Sequence, residues 1–300
     1  MTQRLETMSG ALAPVASVVV AVYNGGEQLG AQVAALLGQS LSNLEVILAD
    51  NGSSDGCVEP FVGIGKIRVV DASGKRGQGF ARNVGAAVAR SDYLLFCDQD
   101  DVAEPGWAEA LVEALLRYDL VGGSFDVGSL NSGVEFWRTP PVRADVGSPL
   151  PFASGSNFGI RREVLNAVGG WPERYLGGGE DTALCWRAQL AGYTLGYAPR
   201  AVMQYRYRRG FGAHVKQQFH YGRQAAVVSR DFAELDDMPV APIMRTLGWL
   251  AVNVGLLAKP ESRGGWMGVA ARRAGYEVGR RSARSIVGLA TQRSRRREPR

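Results

Sequence analysis

Leu94-Leu95-Phe96-Cys97-Asp98-Gln99-Asp100-Asp101 is an apolar run that ends in three carboxylates within four positions. Alternate residues of a strand share a face, so a strand that leaves a core and stops on Asp98-Gln99-Asp100 aims two acids at one point. Like charges held that close repel. Two arrangements accommodate them: a hard divalent cation with phosphate on its far side, or a turn whose carboxylates accept from backbone N–H groups. The run by itself leaves both open.

Outward from this stretch the pattern repeats. Val15 to Val22 is a β-branched run long enough for a buried strand, and Tyr23-Asn24-Gly25-Gly26 breaks it. Leu29, Val33, Leu36 and Leu37 then recur at helical spacing. Leu44 to Ala49 predicts a second strand, ending on the turn-dense Asp50-Asn51-Gly52-Ser53-Ser54-Asp55-Gly56, and Ile67 to Val70 a third. A helix through Ala81 to Ala89, the strand Tyr93 to Cys97 and a helix from Trp107 to Tyr118 follow. Apolar strands alternating with helices predict an α/β fold with a doubly wound, mostly parallel sheet, whose ligands sit beyond the carboxyl ends of the strands. Asn24, Asp50 and Asp98 all fall at those ends. From Leu120 to Phe152 the pattern weakens, and irregular strands and loops are expected there. Helices are expected at Arg161 to Val168, Asp181 to Ala191 and His214 to Asp231, with a strand at Tyr193 to Ala198 and an apolar helix at Arg245 to Ala258.

Composition narrows the function classes. No apolar stretch reaches the roughly 18 residues of a bilayer span, and Met1 to Pro14 lacks the apolar region of a signal peptide. Cys57, Cys97 and Cys185 match no zinc spacing with His214 and His220, so a reduced cytoplasmic protein with buried, inert thiols is expected. Charge is unevenly placed: Lys259 to Arg300 holds 12 basic and 3 acidic residues, net +9, which leaves the rest of the +5 chain at −4. On a helical wheel, Trp266 to Ala290 sets Arg272, Arg273, Arg280, Arg281 and Arg284 against Met267, Ala271, Ala274, Val278, Ile286 and Leu289, interrupted by Gly275, Gly279 and Gly288. Such a helix docks on an anionic membrane surface, or packs on its own domain with a solvated arginine face. No aromatic-interleaved basic groove points to nucleic acid.

Four constellations carry chemistry. Tyr23-Asn24 with Asp50-Asn51-Gly52-Ser53-Ser54-Asp55 can receive a base and ribose, or simply close Asx turns. Gly77-Gln78-Gly79-Phe80-Ala81-Arg82-Asn83-Val84-Gly85 lets backbone approach a ligand with Arg82 beside its oxygens, or starts a helix with a solvated arginine. It is not a dinucleotide fingerprint, and no phosphate-binding G-x-x-x-x-G-K-[ST] occurs. The third constellation is the acid run at Asp98. The fourth, Gly177-Gly178-Gly179-Glu180-Asp181, places paired acids at a helix start behind a glycine hinge, as helix-dipole partners or as a general base.

In this order the four motifs resemble an inverting family 2 glycosyltransferase of the GT-A fold, of the kind that builds bacterial cell-envelope glycans, rhamnosyltransferases included. Gly155-Ser156-Asn157-Phe158-Gly159, Gly169-Gly170-Trp171 and Leu184-Cys185-Trp186-Arg187 extend the resemblance to about two-thirds of the chain. It implies a nucleotide-sugar donor of the UDP, GDP or dTDP type and a glycan or glycolipid acceptor. It further implies that Asp98 and Asp100 hold Mg²⁺ or Mn²⁺ against the donor diphosphate, with Gln99 between them. Tyr23, Asn24, Asp50 and Asn51 would meet base and ribose, and Arg82 and Asn83 ribose or phosphate. Asp181 would be the general base with Glu180 beside it. Ser156, Asn157, Trp171 and Glu180 would shape the donor-sugar and acceptor site. Many relatives carry a histidine near the metal; Ala201-Val202-Met203-Gln204-Tyr205-Arg206-Tyr207 has none, so the acids and phosphate act without it, or His214 substitutes.

The expected organisation is a tail at 1–14, a GT-A domain at 15–230 and a basic helical extension at 231–300. The expected setting is cytoplasmic, peripheral on the inner membrane face. The competing expectation is a catalytically silent nucleotide-sugar- or glycan-binding subunit of an envelope assembly.

Overall fold

The computed structural model describes residues 13–41, 43–131, 142–143, 149–208, 210–235 and 267–279. In chain order the elements are β1 (Ala16–Val22), α1 (Gly26–Leu37), β2 (Leu44–Asp50), β3 (Ile67–Asp71), α2 (Gln78–Val88), β4 (Tyr93–Asp98), β5 (Val102–Ala103) and α3 (Trp107–Leu115). There follow β6 (Leu120–Asp126), β7 (Val142–Arg143), β8 (Phe152–Ala153), β9 (Asn157–Arg161), α4 (Arg162–Ala167), α5 (Glu180–Leu190), β10 (Leu195–Gln204) and α6 (Phe211–Asp231). Residues 267–279 form a last helix, α7. The helix expected at Arg245 to Ala258, and the basic residues from Arg280 onward, lie outside the described residues.

Eight strands form one sheet in the order β3-β2-β1-β4-β9-β6-β10-β5. β1 pairs in parallel with β2 and β4, so Val22 lies beside Asp50, Asp50 beside Asp71, and Ala21 beside Asp98. That register puts the carboxyl ends of four strands on one rim. β1 shows why the sheet is covered on both faces. Val18, Val20 and Val22 join one apolar cluster with Leu29, Leu36, Trp107 and Leu111, whereas Val19 joins a second with Phe96, Phe158, Trp171 and Trp186. A strand buried on both sides reads as a continuous apolar run, as this one does.

The weakly patterned region departs from expectation. Leu120 to Asp126 is the regular strand β6, and its first four residues are buried. β9 enters antiparallel between β4 and β6, opposing Cys97 with Asn157 and Val121 with Gly159. The glycines that read as loop are packing devices: a Cβ on Gly123 would overlap the Asn157 amide and the Ala201 carbonyl. Cys97 and Cys185 are buried with thiol pKa values pushed up by desolvation, as expected of inert thiols. Cys57 is only half-buried, and its Sγ accepts from the Gly25 N–H at 3.3 Å.

Helix contact is closest at two places. On α2, a Cβ at Gly85 would overlap Val19 on β1, so the helix lies directly on the strand. α7 lies equally close to α6: a Cβ on Gly222 would overlap the Arg272 carbonyl, one on Gly275 the Phe219 carbonyl, and one on Gly279 would come 3.0 Å from Ala226. The glycines that interrupt the apolar stripe of the tail are therefore its contact face. Val278, assigned to that stripe, is 44% exposed.

Gly85→Val overpacks the α2–β1 contact and should lower unfolding free energy by about 1–3 kcal/mol. A urea titration monitored by tryptophan fluorescence measures it, with Gly30→Ala, which meets open space, as the near-neutral comparison.

Candidate active site

The described residues enclose a cleft of about 1520 Å³ above the strand-end rim. Its floor centres on Arg82. This residue lies in the second turn of α2, is 1% exposed, and reaches under the ends of β4 and α5. Nη2 donates to Asp98 Oδ1 at 2.9 Å and Nη1 to Glu180 Oε1 at 3.3 Å, while the guanidinium lies 4.4 Å from the Trp171 ring centroid. One buried cation therefore spans the two acid clusters. Gly155 makes room for it, since a Cβ there would stand 2.6 Å from Nη1.

Asp98 also accepts from Gln78 Nε2 at 2.6 Å. Asp100, two residues on, lines the same cleft. Burial, then the Asp98 charge, raise the Asp100 carboxyl to about 6, against the pull of Arg208 and Arg206. Two carboxylates placed two residues apart at a strand end suit an oxygen-seeking cation. The described residues hold no group of three metal-ligating side chains. A Mg²⁺ or Mn²⁺ ion here would keep positions for phosphate oxygens and water, which fits a donor-borne metal rather than a caged one. Asp101 caps no helix. It is 1% exposed, accepts the Arg206 N–H at 2.8 Å, and is held well above the ordinary carboxylate range by burial and by Asp98 and Asp100. It ties the segment after β10 to the end of β4.

Across the floor, α5 begins at Glu180 behind three glycines with φ of 83°, 134° and 93°. The run is seated on α6 rather than standing as a free hinge. A Cβ on Gly177 would lie 2.7 Å from His220, one on Gly178 3.0 Å from Tyr221, and one on Gly179 2.8 Å from Val228. His220 and Gln224 both reach the Leu176 carbonyl, at 3.0 and 3.1 Å. Glu180 is buried, and desolvation, then Asp181, raise it to about 7 while Arg82 opposes. Asp181 faces the cleft; its carboxylate accepts from Gly155 N–H at 3.3 Å and Thr182 N–H at 2.7 Å.

The other expected site residues divide in two. Tyr23, at 45% exposure, borders the cleft, and Arg76 lies over its ring at 5.4 Å and donates to its hydroxyl at 3.1 Å. Ser156 lines the cleft and shares a hydrogen bond with Ser154 at 3.0 Å. The remaining polar groups are engaged with the chain itself. The Gln99 amide bonds the backbone of Tyr23 in both directions, at 2.8 and 3.0 Å. Asn24, in a left-handed turn at φ 49°, accepts from Ser54 N–H at 2.8 Å, and Asp50 from Ser53 N–H at 2.9 Å. Asn51 bonds Ala72, Lys75 and Gly77 and so fixes the loop before α2. Asn83 grips the Trp171 backbone through both amide atoms, at 2.8 and 2.9 Å. Asn157, 1% exposed, accepts from Trp107 Nε1 at 2.8 Å and donates to the Ser124 and Ala201 carbonyls. Trp171 is 1% exposed beneath Arg82. Asn83, Asn157 and Trp171 therefore support the floor from outside the cleft. His214 is 2% exposed on α6 and does not line the cleft, so it does not stand in for the missing histidine. Lys216 of α6 and Arg272 and Arg273 of α7, on the far wall, escaped the site expectation; the signal for the two arginines was present in the basic residues of the tail.

A family profile described as glycosyl transferase family 2 matches residues 17–169, and one described as glycosyl transferase family group 2 matches 94–252. The chain belongs to glycosyl transferase family 2. It is 29% identical over 259 residues to glycosyltransferase AglE of Haloferax volcanii, covering 82% of this chain and 83% of that one. To the pre-mycofactocin glycosyltransferase of Mycobacterium tuberculosis it is 26% identical, over 80% of this chain and 53% of that one. The fold is similar to that of a Pyrobaculum calidifontis mannosyltransferase in complex with GDP-Man and Mn²⁺, with a TM-score of 0.64 at 17% identity over 90% of this chain and 88% of that one. It is also similar to Staphylococcus aureus TarS in complex with UDP-GlcNAc, with a TM-score of 0.52 over 90% and 91% of the two chains. The protein is a GT-A glycosyltransferase. Among the described residues no helix is long and apolar enough to cross a membrane.

Arg82→Ala leaves Glu180 buried without its cation and should cost about 3–5 kcal/mol in a denaturant titration. Glu180 also marks the pH dependence of stability. Its folded-state value of about 7 lies above its ordinary 4.5, so its contribution is complete below 4.5 and is lost as pH rises through 7. Glu180→Gln should flatten the fall in melting temperature across that window, measured by calorimetry.

Proposed function

We propose that the protein is a metal-dependent, inverting glycosyltransferase that moves a sugar from a nucleoside-diphosphate donor to a hydroxyl of a cell-envelope glycan or lipid-linked acceptor. The observation that carries this reading is the single buried Arg82 joining Asp98, at the donor end, to Glu180, beside the cleft-facing Asp181. The two halves of a displacement reaction share one rigid floor.

In this reading Tyr23 and Arg76 flank the base, at the exposed edge of the rim. Asp98 and Asp100 hold Mg²⁺ or Mn²⁺ with the donor diphosphate; when bound, the ion offsets charge on the leaving group. Arg206 and Arg208 add positive charge on the same side, where they already lower the proton affinity of Asp100. Asp181 accepts the proton of the acceptor hydroxyl. That oxygen bonds to the anomeric carbon on the face opposite the nucleoside diphosphate, the bond to the diphosphate oxygen breaks with its electron pair, and the centre inverts. Gly155 N–H and Thr182 N–H fix the Asp181 carboxylate, so its direction is set before substrate arrives. Glu180 is a positioning residue held by Arg82, and Gln99, Asn51, Asn83, Asn157 and Trp171 act behind the substrate-facing groups.

The succinoglycan biosynthesis protein ExoO of Rhizobium meliloti, 28% identical over 69% of this chain, supports an envelope or polysaccharide acceptor. Cytoplasmic placement on the inner membrane face, through the basic tail at 266–290, belongs to the same proposal. Of that tail, the described part packs against α6 and turns Arg272 and Arg273 to the cleft. The membrane-directed charge would then come from Arg280 onward.

Asp181→Asn should lower kcat by about 10²–10⁴ with donor KM little changed. Asp98→Asn and Asp100→Asn should abolish the stabilisation that Mn²⁺ gives in the presence of nucleoside diphosphate, read by thermal shift. Transfer in Asp181→Asn within twofold of wild type would remove that residue from the role of base.

A further inference from the structure

Asp98 has two carboxylate oxygens, and the chain treats them differently. Oδ1 accepts twice, from Gln78 Nε2 at 2.6 Å and from Arg82 Nη2 at 2.9 Å. Among the described residues nothing donates to Oδ2. The Asp98 side chain lines the cleft and is 29% exposed. The carboxylate is pinned by one oxygen and free at the other.

Both hydrogen-bond donors come from α2. Gln78 is its first residue and Arg82 stands four positions on, so the two side chains share a helix face, one turn apart. The start of that helix is itself held. Gly77 N–H donates to Asn51 Oδ1 at 2.9 Å. A Cβ at Gly77 would stand 2.9 Å from Leu176, and one at Gly79 3.0 Å from the Pro172 carbonyl. Gln78, half-buried and lining the cleft, therefore reaches Asp98 from a fixed base. Asp100 receives no such brace: Arg206 Nε bonds its backbone carbonyl at 2.8 Å, and no described side chain donates to its carboxylate.

The two donors differ in charge. Arg82 is shared with Glu180, so its charge is divided between two acids. A second cation on Oδ1 would cancel the charge that draws a divalent ion to Asp98. A carboxamide fixes direction and adds no net charge. Carboxylates that bind metal are held by outer hydrogen bonds of this kind, and losing one costs about 10–100-fold in metal affinity. We infer that Gln78 is a positioning residue: with Arg82 it occupies Asp98 Oδ1 and leaves Oδ2 as the oxygen offered to the nucleotide-borne ion. The inference rests on the reading of Asp98 and Asp100 as ligands of that ion, and goes beyond it in naming the oxygen and the group that aims it.

The test is calorimetric titration of the full chain with UDP, GDP and dTDP, each with and without saturating Mn²⁺. The factor by which Mn²⁺ tightens the nucleotide isolates the metal's share of binding. Gln78→Met keeps the side chain's length and removes its donor. It should reduce that factor about tenfold or more, and leave the metal-free affinity within about twofold of wild type. Gln78→Lys keeps a donor and adds a charge, and should reduce the factor as well. A merely structural role would lower the melting temperature and leave the factor where it was. An undiminished factor in either variant, or a loss in Gln78→Met of equal size with and without Mn²⁺, would overturn the positioning role. Mn²⁺ that tightens none of the three nucleotides in wild type would instead overturn the metal reading, and the role of Gln78 with it.

Discussion

A guanidinium taken out of water has to be paired, and the pairing of Arg82 organises this protein. Its partners come from two elements distant in sequence, the end of β4 and the start of α5, and its stacking surface comes from Trp171. Five carboxylates cluster nearby, at Asp98, Asp100, Asp101, Glu180 and Asp181. Without an internal cation they would repel one another in a region where water screens poorly. With it, the cost of burying the charge is met by hydrogen bonds on both sides, and the distance between Asp98 and the Glu180–Asp181 pair becomes a property of the core. Much of the remaining polar framework serves this arrangement. Asn83 holds Trp171, Asn51 holds the loop that leads into α2, and Asp101 holds the segment after β10.

The parallel half of the sheet was readable because its signals are local. Each strand is dominated by apolar residues and ends at or beside a turn-forming acid or amide, and helical spacing follows β1, β3 and β4. The strand β6 and its partner β9 were harder to read. Their glycines accommodate neighbours that are remote in sequence, and an antiparallel insertion such as β9 is stabilised by partners that no local window contains. The same cause limits the reading of the site. Asp98, Asp181 and Tyr23 present themselves at the rim, as strand and helix ends require. Whether an asparagine faces a ligand or a backbone cannot be told from its position at a strand end, because the residue type serves both purposes equally. Asn24, Asn83 and Asn157 face the backbone here.

The C-terminal region shows a related ambiguity. Glycines within an amphipathic pattern look like defects in a lipid-facing helix. At a helix crossing they are the contact, because only a residue without Cβ lets two backbones meet this closely. α7 consequently packs as one body with α6, and its Arg272 and Arg273 line the cleft.

The three-glycine run before α5 carries a consequence for how such enzymes diversify. Its backbone is left-handed throughout, and each missing Cβ is the space filled by a named side chain of α6. The C-terminal helices can therefore not be transplanted alone. A foreign α6 with bulkier residues in place of His220, Tyr221 or Val228 would press on the loop and displace the start of α5, and Asp181 with it. A recombination boundary that respects the fold falls before Leu176, so that loop, Asp181 and far wall are inherited as one cassette.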